Sequence, residues 1–139
     1  MKSKLVWKIN KIVLPQHADH AGVMWHGTYF NWLEESRIYA LSKVGVDYFK
    51  LTKVGFDLPL INTSINYKLP IYLGEEIIIE SVFNIGKSPK INIISKFVNE
   101  NKKITTIAEV NLVLINNINF SIIRKRPNFL SKAFQELNG

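Results

Sequence analysis

The hydrophobic pattern divides the chain into strand-like stretches on either side of one long helical stretch. From Leu5 to Val13 the apolar residues alternate (Leu5, Trp7, Ile9, then Ile12 and Val13), which predicts a strand. A polar stretch with Pro15 follows, and from Thr28 the period becomes that of a helix. Phe30, Leu33, Arg37, Ala40, Leu41 and Val44 recur at helical spacing, while Asn31, Glu34, Glu35 and Lys43 fall largely elsewhere. The Thr28 hydroxyl is expected to cap the helix start and Gly45 to end it in a left-handed conformation. Residues 46–57 allow a short helical turn ending near Gly55.

The remainder reads as strands. Leu58–Leu69 comes first, closed by Pro70, then Glu75–Ile85, Lys90–Val98 and Ile104–Ile115. Turns are expected at Gly86–Pro89, at residues 99–103 and at Asn116–Asn117. Phe120–Ile123 is a short segment able to pair again. Pro127 opens a terminal helix carrying Phe129, Leu130, Phe134 and Leu137. One strand, one long helix and about four antiparallel strands make an α+β layer architecture, with the sheet wrapped around the helix to bury its apolar face. Apolar residues on the other sheet face point to a homo-oligomer. No linker, repeat or low-complexity segment interrupts the chain, so a single domain is expected over residues 1–139.

Composition narrows the chemistry. The absence of cysteine excludes disulfides, a thiol nucleophile and thiolate metal sites. The opening MKSKLVWKINKIVLP is broken by Lys8 and Lys11 and does not read as a signal peptide. No stretch approaches the ~18 apolar residues of a membrane span. The expectation is a cytoplasmic protein without a membrane partner. The net charge of +7 suits an anionic partner. However, Lys, Asn and Ile are enriched together, as an A+T-rich coding sequence makes them. Arginine is scarce and no basic block exceeds Arg124–Arg126, so no nucleic-acid partner is expected.

The stretch HADHAGVMWHGTYFNWLEE (17–35) concentrates the candidate chemistry. All three histidines, His17, His20 and His26, surround Asp19. Their spacing matches no familiar metal site, and no metal is expected. Asp19 can be read as a turn residue closing an Asx turn. It can also be read as a carboxylate facing a helix start, whose unpaired N–H groups can hold an oxyanion. Such a carboxylate could attack a carbonyl or activate water. Gly22 and Gly27 bracket the apolar piece, and Gly27 would let a ligand or second backbone approach the helix start.

These residues resemble a known family. Asp19-x-x-Gly22-Val23, then Trp25-His26-x-x-Tyr29, then Trp32, Glu34 or Glu35 and Arg37 are similar to the hotdog-fold acyl-CoA thioesterases of the 4-hydroxybenzoyl-CoA thioesterase type. Asn66-Tyr67-x-x-Pro70 with Gly74-Glu75, and Arg126-Pro127-x-x-Leu130, extend the resemblance over nearly the whole chain. It implies a hotdog fold and hydrolysis of an acyl-CoA thioester, with no cofactor beyond the coenzyme A of the substrate. It gives Asp19 the role of nucleophile or general base and the His26 backbone N–H that of polarising the carbonyl. Gly22, Trp25, Gly27 and Tyr29 would shape the acyl site, and Lys87, Ser88 and Lys90 would meet coenzyme A. Gln16-His17-Ala18 and Gly27 depart from the residues common at those positions, which bears on acyl preference. An aromatic acyl group such as 1,4-dihydroxy-2-naphthoyl or 4-hydroxybenzoyl is the first expectation. A short aliphatic acyl-CoA or an acyl-carrier-protein thioester is the second. A non-catalytic module binding acyl-CoA or RNA is the reading from a different class. The resemblance also implies a dimer or tetramer with sites at the subunit interface.

Overall fold

The computed structural model describes residues 4–139. The first three residues of the N-terminal stretch lie outside them. Strand β1 (Trp7–Ile12) leads through a turn at Pro15–His17 into the long helix α1 (His26–Lys43). A short helix α2 (Tyr48–Lys53) and the two-residue strand β2 (Phe56–Asp57) follow. Then come β3 (Leu60–Tyr67), β4 (Glu76–Ile85), β5 (Lys90–Val98), β6 (Ile104–Val113), β7 (Ile115–Asn116) and helix α3 (Asn128–Asn138). The five longer strands form one antiparallel sheet in the order β1-β4-β5-β6-β3, and β2 pairs with β7. The architecture is the expected α+β arrangement.

Period-two alternation builds the core face. Ile77, Ile79, Ser81, Phe83 and Ile85 of β4 are buried, and so are Ile91, Ile93, Ser95 and Phe97 of β5 opposite them. Ser81 and Ser95 share a hydrogen bond of 2.7 Å, so the polar pair within this apolar row is satisfied. Helix α1 lies against β1 and β4, with the Trp32 ring stacked 6.4 Å from Phe97. Helix α3 packs on β4 through Leu130, Ala133, Phe134 and Leu137. The Trp7 indole N–H donates to the Leu137 carbonyl at 3.0 Å.

Several expectations need correction. Helix α1 starts at His26, two residues before Thr28, with Trp25 at the cap position. Its buried stripe is Tyr29, Trp32, Leu33, Ser36, Ala40 and Leu41, while Phe30 is 46% exposed. Phe30 and Trp32 are both large and apolar, so the spacing fits either rotation, and the way the helix start is anchored selects one. Strand β3 does not form a hairpin with β4; it crosses to the far edge and pairs with β6. Asn116 lies in β7 rather than in a turn, whereas Phe120–Ile123 does pair again, through the Ile115–Ile122 bridge, the Asn116 N–H to Ser121 and the Ile123 N–H to Leu114. Pro127 caps α3 instead of opening it. Gly45 (φ +85°) ends α1 as expected: its N–H donates to Ser42 and that of Val46 to Leu41, which satisfies the last carbonyls.

The link from α1 to β3 is held by side chains. The Asp47 carboxylate accepts from Phe49 N (2.9 Å) and Lys50 N (3.2 Å), capping α2. The Tyr48 hydroxyl donates to Asp57 Oδ1 at 2.5 Å, tying α2 to β2. Burial, with help from the Asp57 carboxylate, pushes the Tyr48 phenol up to about 12 from its ordinary 10.0. The folded state therefore favours the neutral phenol. That contribution is complete below pH 10 and is lost as pH rises from 10 towards 12. Tyr48→Phe should make the alkaline fall of Tm shallower than in the wild type across that window, as measured by thermal unfolding at stepped pH.

Candidate active site

The start of α1 is seated by one backbone carbonyl. The His17 carbonyl accepts from the Trp25 N–H at 2.9 Å and from the Thr28 hydroxyl at 2.9 Å. Thr28 is buried, so its hydroxyl anchors the helix rather than capping it. The half-buried His17 ring accepts from Leu14 N at 3.1 Å and meets Trp32 edge-on at 5.3 Å. His17 thus holds the turn against the core.

Between these anchors residues 18–24 fold back on themselves. Ala18 bridges Met24, and the Asp19 N–H donates to Val23 at 2.8 Å. Gly22 turns the chain at φ +77°, a left-handed conformation that side chains adopt at a cost, although nothing crowds its Cβ position. The return arm is stitched to residues 71–73: Met24 N–H to Ile71 at 2.7 Å and Leu73 N–H to Gly22 at 2.9 Å. Asp19 stands exposed in this loop. Its Oδ1 accepts from Ala21 N (2.9 Å) and Val23 N (3.2 Å), an Asx turn that fixes the carboxylate's orientation. Its Oδ2 has no hydrogen-bond partner among the described residues.

The His26 and Gly27 N–H groups have no acceptor among the described residues. They are the unpaired donors at the positive end of the helix dipole. His26 lines a cleft of about 320 Å³ with Val23, Met24, Tyr29, Tyr67, Lys68, Leu69 and Pro70. Tyr29 is buried there, its ring 4.9 Å from Tyr67 and 5.4 Å from Phe97. Burial raises the Tyr29 phenol above its ordinary value, against a hydrogen bond with Thr106 that lowers it. Tyr67, Leu69 and Pro70 were not expected at the site. Their only signal was the Asn66-Tyr67-x-x-Pro70 stretch, and nothing in it shows that the next residues pair with 22–24.

Asp19, Trp25 and Gly27 do not line the cleft. The Trp25 indole is 47% exposed and folds over Gly27, where a Cβ would lie 2.2 Å from the ring. The room expected at Gly27 for an incoming ligand is therefore taken by Trp25, which also sits 5.0 Å from the His26 imidazole. The histidines go separate ways, and no group of three or more His, Asp or Glu among the described residues could hold a metal. A larger cavity, about 420 Å³, lies on the outer side of α1 against Glu34, Glu35, Arg37, Tyr48 and Phe49. Its lining includes neither the Asp19 loop nor the helix start. Arg37 pairs there with Glu34 at 3.5 Å, and Glu35 pairs with Lys11 at 3.1 Å.

Lys87, Ser88 and Lys90 are in the β4–β5 turn, where Ser88 Oγ accepts from Lys90 N at 3.1 Å. Arg126 holds this turn through the Gly86 (2.7 Å) and Ser88 (2.5 Å) carbonyls. Tyr29 stands on Phe97, opposite Ile79, whereas the turn follows the Ile85–Ile91 pair. Six strand positions at ~3.3 Å each put the two about 20 Å apart. One chain does not bring its Lys87–Lys90 turn to its own helix start.

Comparison with known proteins centres on the same segment. The sequence profile of the Thioesterase superfamily matches residues 21–88. Over 68 residues, 49% of its length, the chain is 44% identical to "Putative esterase sll0410" of Synechocystis and covers 41% of that protein. It spans less than half the length of each curated relative it matches. Its fold is that of the DHNA-CoA thioesterase of Staphylococcus aureus, with TM-score 0.85, 23% identity and coverage of 94% of this chain and 89% of that one. It also matches Slr0204, a 1,4-dihydroxy-2-naphthoyl-CoA thioesterase from Synechocystis, with TM-score 0.87, 18% identity and coverage of 95% and 97%. The fold is the hotdog fold.

Thr28→Val keeps the shape of the side chain and removes the hydroxyl that anchors α1 to His17. The expected cost is about 1–2 kcal/mol, a fall of a few degrees in Tm. Faster amide exchange confined to residues 25–29 would locate the loss at the helix start.

Proposed function

We propose that this chain hydrolyses acyl-CoA thioesters, with Asp19 and the start of α1 as the working parts. The observation that carries the reading is the unpaired His26 N–H on a cleft, with the oriented Asp19 carboxylate in the loop that leads into the same helix. The superfamily match over residues 21–88, which includes the start of α1 but not Asp19, and the thioesterases sharing the fold support the activity. The thioester carbonyl would lie at the helix start, its oxygen taking the His26 N–H as negative charge develops. Asp19 then acts in one of two ways. As a nucleophile it forms an acyl anhydride and expels the CoA thiolate, and water cleaves the anhydride. As a general base it takes the proton of a water that attacks the carbonyl directly. The reaction needs no cofactor beyond the coenzyme A of the substrate.

An aromatic acyl group is the preferred substrate, read from Tyr29 and Tyr67 at the cleft and Trp25 beside it. Gly22 and Gly27 hold the backbone and indole that shape this end. Lys87, Ser88 and Lys90 would serve the nucleotide from a second copy of the chain, in a dimer or tetramer. The unpaired edge of β3, with Leu60, Ile61 and Tyr67 exposed, supports such pairing. The working unit is read as one domain, residues 1–139, in a cytoplasmic setting. Asp19 also admits a second reading, because its two hydrogen bonds from Ala21 and Val23 are what a purely structural turn needs.

Asp19→Asn separates the two. It preserves the Asx turn and removes the base, so thiol release from a panel of acyl-CoA thioesters should fall by about 10²–10⁴ with Tm unchanged. Near wild-type turnover of every ester cleaved would leave Asp19 a turn residue. Lys87→Gln with Lys90→Gln should raise KM several-fold for acyl-CoA and leave kcat intact. The same acyl group on pantetheine, which lacks the nucleotide, should show no change.

A further inference from the structure

The loop between β7 and α3 presents large apolar side chains to solvent on a rigid frame. Ile118 is 82% exposed and Phe120 74%. The loop is braced rather than loose. Asn116 Oδ1 accepts from Ile118 N (2.8 Å), the Asn116 N–H donates to Ser121 (2.8 Å), and Asn119 Oδ1 accepts from Ser121 N (3.0 Å) and Oγ (2.7 Å). Phe120 is held at φ +59°, a conformation a bulky side chain adopts only under constraint. The Asn117 side chain donates to Thr52 (2.8 Å) and its N–H to Gly55 (2.9 Å), which docks the loop on the end of α2 beside the exposed Val54. Phe129, half-exposed, meets Phe56 at 6.2 Å on the adjoining side.

The surroundings of this apolar tip are cationic. Between Glu109 and Glu136 the sequence has Arg124, Lys125, Arg126 and Lys132 and no acidic residue. Arg124 and Lys125 are exposed, as are Lys50 and Lys53 on α2, and none of the four enters an ion pair among the described residues. On the α2 side, the Asp47 carboxylate caps the helix and Asp57 accepts from the Tyr48 hydroxyl.

We propose that this surface docks on an anionic lipid bilayer. Ile118 and Phe120 enter the interfacial region, and Arg124, Lys125, Lys50 and Lys53 meet the headgroups. Exposed apolar side chains ringed by unpaired cations are complementary to a negatively charged membrane surface, where the two attractions add. The contact is peripheral; no helix among the described residues is long and apolar enough to cross a membrane.

The test is co-sedimentation of the full chain with vesicles of phosphatidylcholine alone or mixed with phosphatidylglycerol. Binding is expected to the mixed vesicles only, and to weaken with added salt. Ile118→Ser with Phe120→Ser should reduce partitioning at least about tenfold with an unchanged circular dichroism spectrum. Arg124→Gln with Lys125→Gln should reduce it by a similar factor and leave less salt dependence, a second arm should the first variant misfold. Failure to bind mixed vesicles, or binding by both variants that equals that of the wild type, overturns the proposal. So does a fall in native mass on Ile118→Ser with Phe120→Ser, which would make the patch an interface between copies.

Discussion

One backbone carbonyl organises the candidate site of this molecule. By accepting both the Trp25 N–H and the Thr28 hydroxyl, His17 fixes where α1 begins and how it is rotated about its axis. That rotation sends Trp32 into the core and Phe30 to solvent. It also leaves the His26 and Gly27 N–H groups pointing away from the helix body without an acceptor among the described residues. A helix start must leave donors unpaired; here the anchoring determines which ones, and of the two residues His26 is the one that lines the cleft. Because the anchor is a buried hydroxyl and a main-chain oxygen, this geometry is tied to the core.

The Asp19 loop depends on the same anchoring. Its two ends, Ala18 and Met24, are joined by a bridge, and its return arm is stitched to residues 71–73. The carboxylate therefore cannot drift relative to the helix that follows it. The two N–H groups at Oδ1 orient it without neutralising it, which suits a group that must present its second oxygen to a substrate. The same bonds would suit a turn residue with no chemistry.

Much of the fold was legible in the sequence. Strands β4 and β5 stand nearly where alternation placed them, because one face is buried and a period of two leaves little freedom. Gly45 ended α1 because a left-handed residue there satisfies the last carbonyls. The candidate site was legible in part. The Asp19 turn and the helix after it could be read from Gly22 and the change of period. The cleft could not, because Tyr67, Leu69 and Pro70 reach it by pairing across 50 residues of chain.

The sequence by itself determined element type, since local period and turn chemistry act within a few residues. Tertiary structure decided everything that depends on which distant partner a residue meets. It placed β3 at the edge beside β6, leaving an open strand that neighbours in sequence do not reveal. It put the Lys87–Lys90 turn well along the sheet from the start of α1, since strand register, not sequence spacing, sets distance along a sheet. It turned Trp25 onto Gly27 and held Ile118 and Phe120 in solvent. Hydrophobicity alone predicts burial for such side chains, and only long-range packing and the hydrogen bonds of the loop can overrule it.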